Sequence, residues 1–252
     1  MGLISKLRSY ILAGSLTLAP VFAADAYAQD IFIGRRGPTN AQLDGRISYS
    51  QSRNGTRTLA NSMIFKYWDG DRFGKWGFVS LPYKFIDSPN GHNDGLGDIS
   101  IGFGLRGRIN NFHWFSYGAL MLPTGDSEGI ALGTGRYDKR MGLLTTYLTP
   151  DKKFEIDGLL EYKVVGENRE GINLPNELKT GFIAGGEITD KIRFATGLTG
   201  LIRETNCLIN SRSVIRYTSS RSLYFELVGD VGINSRNTTT GKSIGFQARY
   251  NF

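Results

Sequence analysis

The chain has 252 residues, of which 33 are glycine, 12% aromatic and 21% charged, with a formal net charge of +7. Glycine stands at nearly twice its usual share of about 7%, mean hydropathy is only −0.23, and Cys207 is the single cysteine. These values argue against a helical enzyme, a bundle of membrane helices and a disulfide scaffold, and for a β-rich chain large enough for one domain or one barrel.

Residues 1–28 have the pattern of a secretory signal peptide. Lys6 and Arg8 supply the charged start, "YILAGSLTLAPVFA" the apolar run, and Ala26 and Ala28 the small residues before a cleavage at Gln29. A membrane-anchoring helix is the competing reading; the run is short for one and carries Pro20. Residues 29–41 have no assigned element and are read as a periplasmic or lumenal segment ahead of a barrel domain that spans the rest of 29–252. No later run of apolar residues is long enough for a membrane helix.

From there the period is two. Twelve strands are predicted, at 42–52, 57–68, 76–86, 96–109, 112–122, 137–148, 153–165, 178–188, 192–203, 211–218, 222–233 and 242–252. In "ISIGFGLRGRI", Ile99, Ile101, Phe103, Leu105 and Ile109 share one face, and Ser100, Gly102, Gly104, Arg106 and Arg108 the other. "FEIDGLLEYKV" sets Phe154, Ile156, Leu160, Tyr162 and Val164 against Glu155, Asp157, Glu161 and Lys163. "SLYFELVGDVGI" sets Leu223, Phe225, Leu227, Val231 and Ile233 against Tyr224, Glu226, Val228, Asp230 and Gly232. Such alternation marks strands with one apolar face; a helix needs spacings of three and four.

Short turns at 110–111, 149–152, 189–191 and 219–221 alternate with longer Gly-, Pro- and Asn-rich loops at 87–95, 123–136 and 166–177. Each strand with its connection takes roughly 19 residues, room for a membrane strand of about 9–11 residues and its loop. The fold class implied is all-β: an up-and-down transmembrane antiparallel barrel with short periplasmic turns and longer extracellular loops. The turns also propose a register. They set Arg108 opposite His113, Arg140 opposite Glu161, Asp138 opposite Lys163 and Glu187 opposite Arg193, polar facing polar in every case.

An ionised side chain costs about 2–4 kcal/mol at the bilayer midplane, so the charged face must point inward. The candidate lumen residues are Asp98, Arg106, Arg108, Asp138, Arg140, Glu155, Asp157, Glu161, Lys163, Glu187, Arg193, Arg216, Glu226, Asp230 and Arg249. Both signs occur, and pairing across strands is the plain structural role for each. The chain ends "SIGFQARYNF", with Phe246, Tyr250 and Phe252 on the apolar face. A soluble domain usually ends in a frayed polar tail. A terminal aromatic strand resembles the signal by which outer-membrane barrels are recognised for assembly.

"DGLGDISIGFGLR" (94–106), "LMLPTGD" (120–126), "GTG" (133–135) and "YDKRMGL" (137–143) together resemble the outer-membrane family named for the meta-pathway of phenol degradation. The resemblance runs over roughly residues 40–252 and is strongest over 94–145. It implies a small transporter barrel that passes small, apolar or aromatic molecules, and it brings no catalytic residues.

Other functions have weaker support. The chain contains only His92 and His113, and Phe115 stands where a barrel lipase of the His-x-Ser type would carry serine. An omptin-like Asp/His site at Asp94 or Asp98 with His92 is the remaining enzyme reading. No Cys/His cluster suggests zinc, and Asp87, Asp94, Asp126 and Glu128 lack the spacing of a calcium loop. "GLGDIS" has Ser100 where a dinucleotide fingerprint needs its third glycine. Basic residues alternate with acidic ones, which disfavours nucleic acid. The leading expectation is a passive channel with no cofactor, no metal and no catalytic residue. Its partners are outer-membrane lipid and lipopolysaccharide, the barrel-assembly machinery and a small solute. A structural or surface-interaction barrel acting through its long loops is the alternative. Cys207 reads as an inert residue near a strand end.

Overall fold

Alternation of this kind can satisfy every backbone amide only if the sheet closes on itself, and it does. The computed structural model describes residues 41–52, 55–69, 73–126, 129–167, 175–204, 206–220, 222–236 and 241–252. The expected leader at 1–28 and the segment 29–40 lie outside these residues, as does 168–174 of the long 166–177 loop.

The elements are β1 (Ala41–Ser52), β2 (Arg57–Trp68), β3 (Phe73–Ser88), β4 (Gly91–Leu96), β5 (Ile99–Ile109), β6 (Phe112–Leu122), β7 (Asp138–Leu148), β8 (Phe154–Val164), β9 (Glu177–Thr189), β10 (Ile192–Ile202), β11 (Cys207–Thr218), β12 (Leu223–Arg236) and β13 (Gly241–Asn251). Neighbours in sequence pair antiparallel, except β4 and β5, which both pair β3, and β1 pairs both β2 and β13, which closes the barrel. Phe252 donates its backbone N–H to the Ala41 carbonyl (3.1 Å), so the last residue is sewn to the first strand. Closure leaves no polar edge for hydrocarbon to meet.

Thirteen elements make twelve wall positions. The lower part of β3 (Phe73–Ser80) pairs β5, and its upper part (Tyr83–Ser88) pairs β4. β4 and β5 are therefore one wall strand broken at Gly97–Asp98. Where a loop was expected at 87–95, the chain instead makes a hairpin turning at Pro89–Asn90. Its glycine and proline content favours a loop, and the β3–β4 ladder overrides that preference.

The outward side chains are large and apolar. Phe65, Ile101, Leu105, Leu160, Phe182, Leu198, Leu227 and Phe246 are exposed, and Phe103 is 76% exposed. In water such a surface would be prohibitive; it is the belt that hydrocarbon requires. Tyr250 and Phe252 extend it at the turn end, with rings 5.2 Å apart edge to face.

Turns set the register. Asn110, at φ 53°, makes the tight Asn110–Asn111 turn and gives Ile109↔Phe112 and Arg108↔His113, as expected. Glu187 faces Arg193, also as expected, across a bulge. The 149–152 turn differs. Thr149 N–H donates to the Phe154 carbonyl (2.9 Å), and Lys152 takes φ 58°. The Thr149 hydroxyl donates to Asp151 Oδ1 (2.5 Å), which holds that exposed carboxyl below its ordinary range. The wider turn slides the β7–β8 pairing by two residues. Arg140 faces Lys163, and Gly142 faces Glu161. The expected pairs Arg140–Glu161 and Asp138–Lys163 are therefore not direct partners. A slip of two keeps every side chain on its face, so alternation cannot detect it.

Candidate functional site

The lumen has two unlike walls. On β2, β3, β6, β7 and β8 the inward side chains are Ile64, Trp68, Trp76, Phe78, Phe115, Tyr117, Leu144 and Leu159, one buried cluster. Trp76 is its centre, with ring centroids 5.5 Å from Phe78, 5.7 Å from Phe115 and 5.8 Å from Tyr117. Its Nε1 donates to the Ser116 carbonyl (3.0 Å), so the indole leaves no orphan donor. Arg106 extends from β5 to place its guanidinium 6.0 Å from the Trp68 ring and 5.9 Å from the Phe115 ring.

Glycines make this wall possible. A Cβ on Gly102 would collide with the Phe78 ring, and one on Gly142 with the Tyr117 ring. The rings occupy the space that side chains at these positions would take. Gly102 and Gly104 do face inward, but their room is not open lumen: Phe78 fills the space over Gly102, and the Ser116 backbone closes on Gly104.

The opposite wall is ionic. Lys66 Nζ contacts Asp44 Oδ2 (2.5 Å) and Arg249 Nε approaches Asp44 Oδ1 (3.4 Å). Glu226 bridges Arg249 (3.1 Å) and Arg216 (2.6 Å), joining β12, β13 and β11. Arg193 approaches Glu155 (3.3 Å) and Glu187 (3.5 Å). Further along, Arg212 holds Asp230 with two hydrogen bonds, 2.7 and 3.0 Å, and Asp157 accepts from the Thr146 hydroxyl (2.7 Å). Toward the loop end a chain runs Arg136–Asp138–Lys163–Glu177–Arg203. Asp138 thus still reaches Lys163, at 2.9 Å, along the diagonal that the slipped register leaves. Tyr117 donates to Glu161, linking the two walls.

Among the described residues, eight buried cations (Lys66, Lys84, Arg140, Lys163, Arg193, Arg212, Arg216, Arg249) stand against eight buried anions (Asp44, Asp98, Asp138, Glu155, Asp157, Glu161, Glu226, Asp230). The buried charges of the described lumen thus balance, despite the chain's positive charge.

Three candidate residues sit differently. Arg108 is exposed at the turn-end rim, its Nε donating to the Asn110 carbonyl (3.1 Å). Glu187 is only half-buried. Asp98 is buried but fastens a loop: it accepts from Gly125 N–H (3.1 Å), Thr134 N–H (2.6 Å) and the Thr134 hydroxyl (2.7 Å). The Thr124 hydroxyl accepts from Ile99 N–H (2.9 Å) and donates to the Gly97 carbonyl (2.9 Å). "GLGD", "PTGD" and "GTG" are therefore one clasp that pins the 123–137 loop at the β4–β5 break, with Leu132 buried beneath it. Gly125 and Gly133 meet there too closely for a side chain on either.

His113 is buried near the turn end, and His92 is exposed on β4 near the opposite end, so the two histidines share no site. Among the described residues no group of His, Cys, Asp and Glu could hold a metal. Cys207 is half-buried at the start of β11.

Residues 25–205 match the family described as "Putative MetA-pathway of phenol degradation". The chain belongs to that family. No curated protein matches it. Among solved structures, an outer-membrane channel from Pseudomonas putida F1 superposes with a TM-score of 0.70 at 14% identity, over 87% of this chain and 98% of that one. The NanC porin gives 0.56 at 11% identity, over 83% and 100%. The CymD monoaromatic hydrocarbon channel gives 0.52 at 8% identity, over 89% and 93%. At these identities the likeness is one of fold: a closed twelve-position barrel of the outer-membrane kind.

Proposed function

We propose that this barrel is a passive outer-membrane channel for small aromatic molecules. The observation that carries the reading is the inward cluster of Trp68, Trp76, Phe78, Phe115 and Tyr117. A barrel that needed only filling could do so with aliphatic side chains; five aromatic rings facing an ion-paired wall offer a solute ring stacking on one side and hydrogen bonds on the other. Membership of the phenol-degradation family and the fold shared with a monoaromatic hydrocarbon channel support it. The lumen groups act by lining the path, and no catalytic role is assigned to any of them. The leader at 1–28 would deliver the chain for export, and Phe246, Tyr250 and Phe252 would serve its recognition by the assembly machinery. The apolar belt would then sit in lipid and lipopolysaccharide.

The test is uptake into proteoliposomes of benzoate and cyclohexanecarboxylate, both held as anions so that neither crosses bare lipid quickly. Benzoate should enter several-fold faster than its saturated counterpart. Equal rates would remove the aromatic specificity, and no uptake above protein-free vesicles would remove the channel.

A further inference from the structure

Nearly all the buried cations in the lumen have a carboxylate beside them. Among the described residues, Lys84 and Arg140 are the buried cations with none within ion-pair distance. Arg140 is the more exceptional. It is only 6% exposed, its Nη2 contacts the Met121 thioether (2.6 Å), and its Nε and Nη1 are buried with no hydrogen-bond partner. The glutamate that the sequence offers it, Glu161, is taken by Tyr117. A buried guanidinium with two idle donor nitrogens is costly, and a carboxylate oxygen is the strongest partner either could take.

The surroundings suit one kind of carboxylate. Arg140 lies directly across from Ala119, and Met121 directly across from Ser100, which faces Ser80 on β3. Ser80 and Ser100 are each 1% exposed, and neither hydroxyl has a partner. One step toward the turn end lie two rings of the aromatic wall. Phe78 lies over Gly102, and Tyr117 over Gly142, the inward neighbour of Arg140 on β7. The two rings are 6.2 Å apart, edge to face. Idle donors and an aromatic surface thus meet at one height of the lumen.

We infer that Arg140, Ser80 and Ser100, with Phe78 and Tyr117 beside them, form a binding subsite for an aromatic carboxylate inside the channel. The carboxylate takes one of the idle donors of Arg140 and the serine hydroxyls; the ring packs against Phe78 and Tyr117. This rests on the channel reading above and names the solute class that pauses there.

The experiment is calorimetric binding of benzoate and benzamide to the full-length barrel in detergent. Benzamide keeps the ring and loses the charge. Benzoate should bind at least tenfold more tightly in the wild type. Arg140→Gln should bring benzoate down to the benzamide level and leave benzamide unchanged, Arg140→Lys should fall between, and Phe78→Leu should weaken both ligands. Because Arg140 has no ion pair to lose, Arg140→Gln should resist urea at least as well as the wild type, so a folding defect cannot imitate the result. Equal binding of the two ligands by the wild type, or a benzoate preference that survives Arg140→Gln, overturns the subsite. So does marked destabilisation of Arg140→Gln, which would reveal a partner within the chain. Those outcomes leave the uptake test intact: a channel that still prefers benzoate to cyclohexanecarboxylate is aromatic-selective without this subsite.

Discussion

The two walls of the lumen solve the same problem by opposite means. Each must line the inside of a twelve-position barrel. The aromatic wall does so with rings laid over glycines, and its order depends on shape: Phe78 fits because Gly102 has no side chain, and Tyr117 because Gly142 has none. The ionic wall does so with neutralised charge. Glu226 is held between Arg216 and Arg249, and Asp44 between Lys66 and Arg249. A wall built on shape presents apolar surface to a solute and fails gradually when packing changes. A wall built on paired charge presents donors and acceptors and fails abruptly when one partner is lost. Arg140 stands where the two meet, on the same strand as Gly142, and belongs fully to neither.

The largest expected effect is on the ionic side. Glu226→Gln leaves Arg216 and Arg249 buried without their shared carboxylate, and breaking a buried pair costs about 3–5 kcal/mol. Urea unfolding in detergent should show a loss of that order. The aromatic preference in uptake should persist in whatever fraction folds. A loss below about 1 kcal/mol would mean that water already screens this wall, and the contrast between the walls would shrink.

Next is the bed of the aromatic wall. A Cβ at Gly104 would strike the Ser116 backbone, which has little freedom to move. Gly104→Ala should therefore cost about 1–3 kcal/mol, as overpacking does. The same change at Gly229, where a Cβ meets nothing within 4 Å, should be nearly neutral. The pair separates a need for space from a general dislike of alanine. Below these comes the loop clasp. Thr134→Val removes the hydroxyl that donates to Asp98 but keeps the backbone N–H. It should cost about 1 kcal/mol and increase proteolysis within 123–137 while leaving the barrel core protected.

What was legible in the sequence follows from which physical signals repeat. Inside and outside repeat at every second residue, so Glu155, Asp157, Glu161 and Lys163 could be placed inward from "FEIDGLLEYKV" alone, and all four are buried. Closure followed from the twelve predicted strands and the aromatic end. The β7–β8 register did not follow, because a slip of two conserves the face of every residue and depends only on how Thr149, Asp151 and Lys152 close their turn. The break at Gly97–Asp98 was invisible for a related reason: Leu96 and Ile99 both read as strand, and the contacts that interrupt the ladder come from Thr124, Gly125 and Thr134, 25 to 36 residues away. The aromatic wall was missed altogether. Trp76, Phe78, Phe115 and Tyr117 are as apolar as the lipid-facing residues, and a reading that sends apolar residues outward cannot see them. The usable signal was parity. Phe78 alternates with Val79, which faces out, and Phe115 and Tyr117 share their face with His113.

The smallest effect is the most direct probe of how separate the walls are. Glu226 acts through charges on β11, β12 and β13, and Phe78 through rings on β3 and β6. They share no partner in either set of contacts. Changes at sites without shared partners usually add to within about 0.5 kcal/mol. A double-mutant cycle of Glu226→Gln with Phe78→Leu, followed by urea unfolding, should therefore give a coupling energy near zero. The same cycle of Glu226→Gln with Arg216→Met should give about 1 kcal/mol or more, because those side chains touch. If the first coupling matched the second, the walls would be one cooperative filling rather than two. The Tyr117–Glu161 contact would then be the place to look for the link, since it joins an aromatic side chain to a lumen carboxylate.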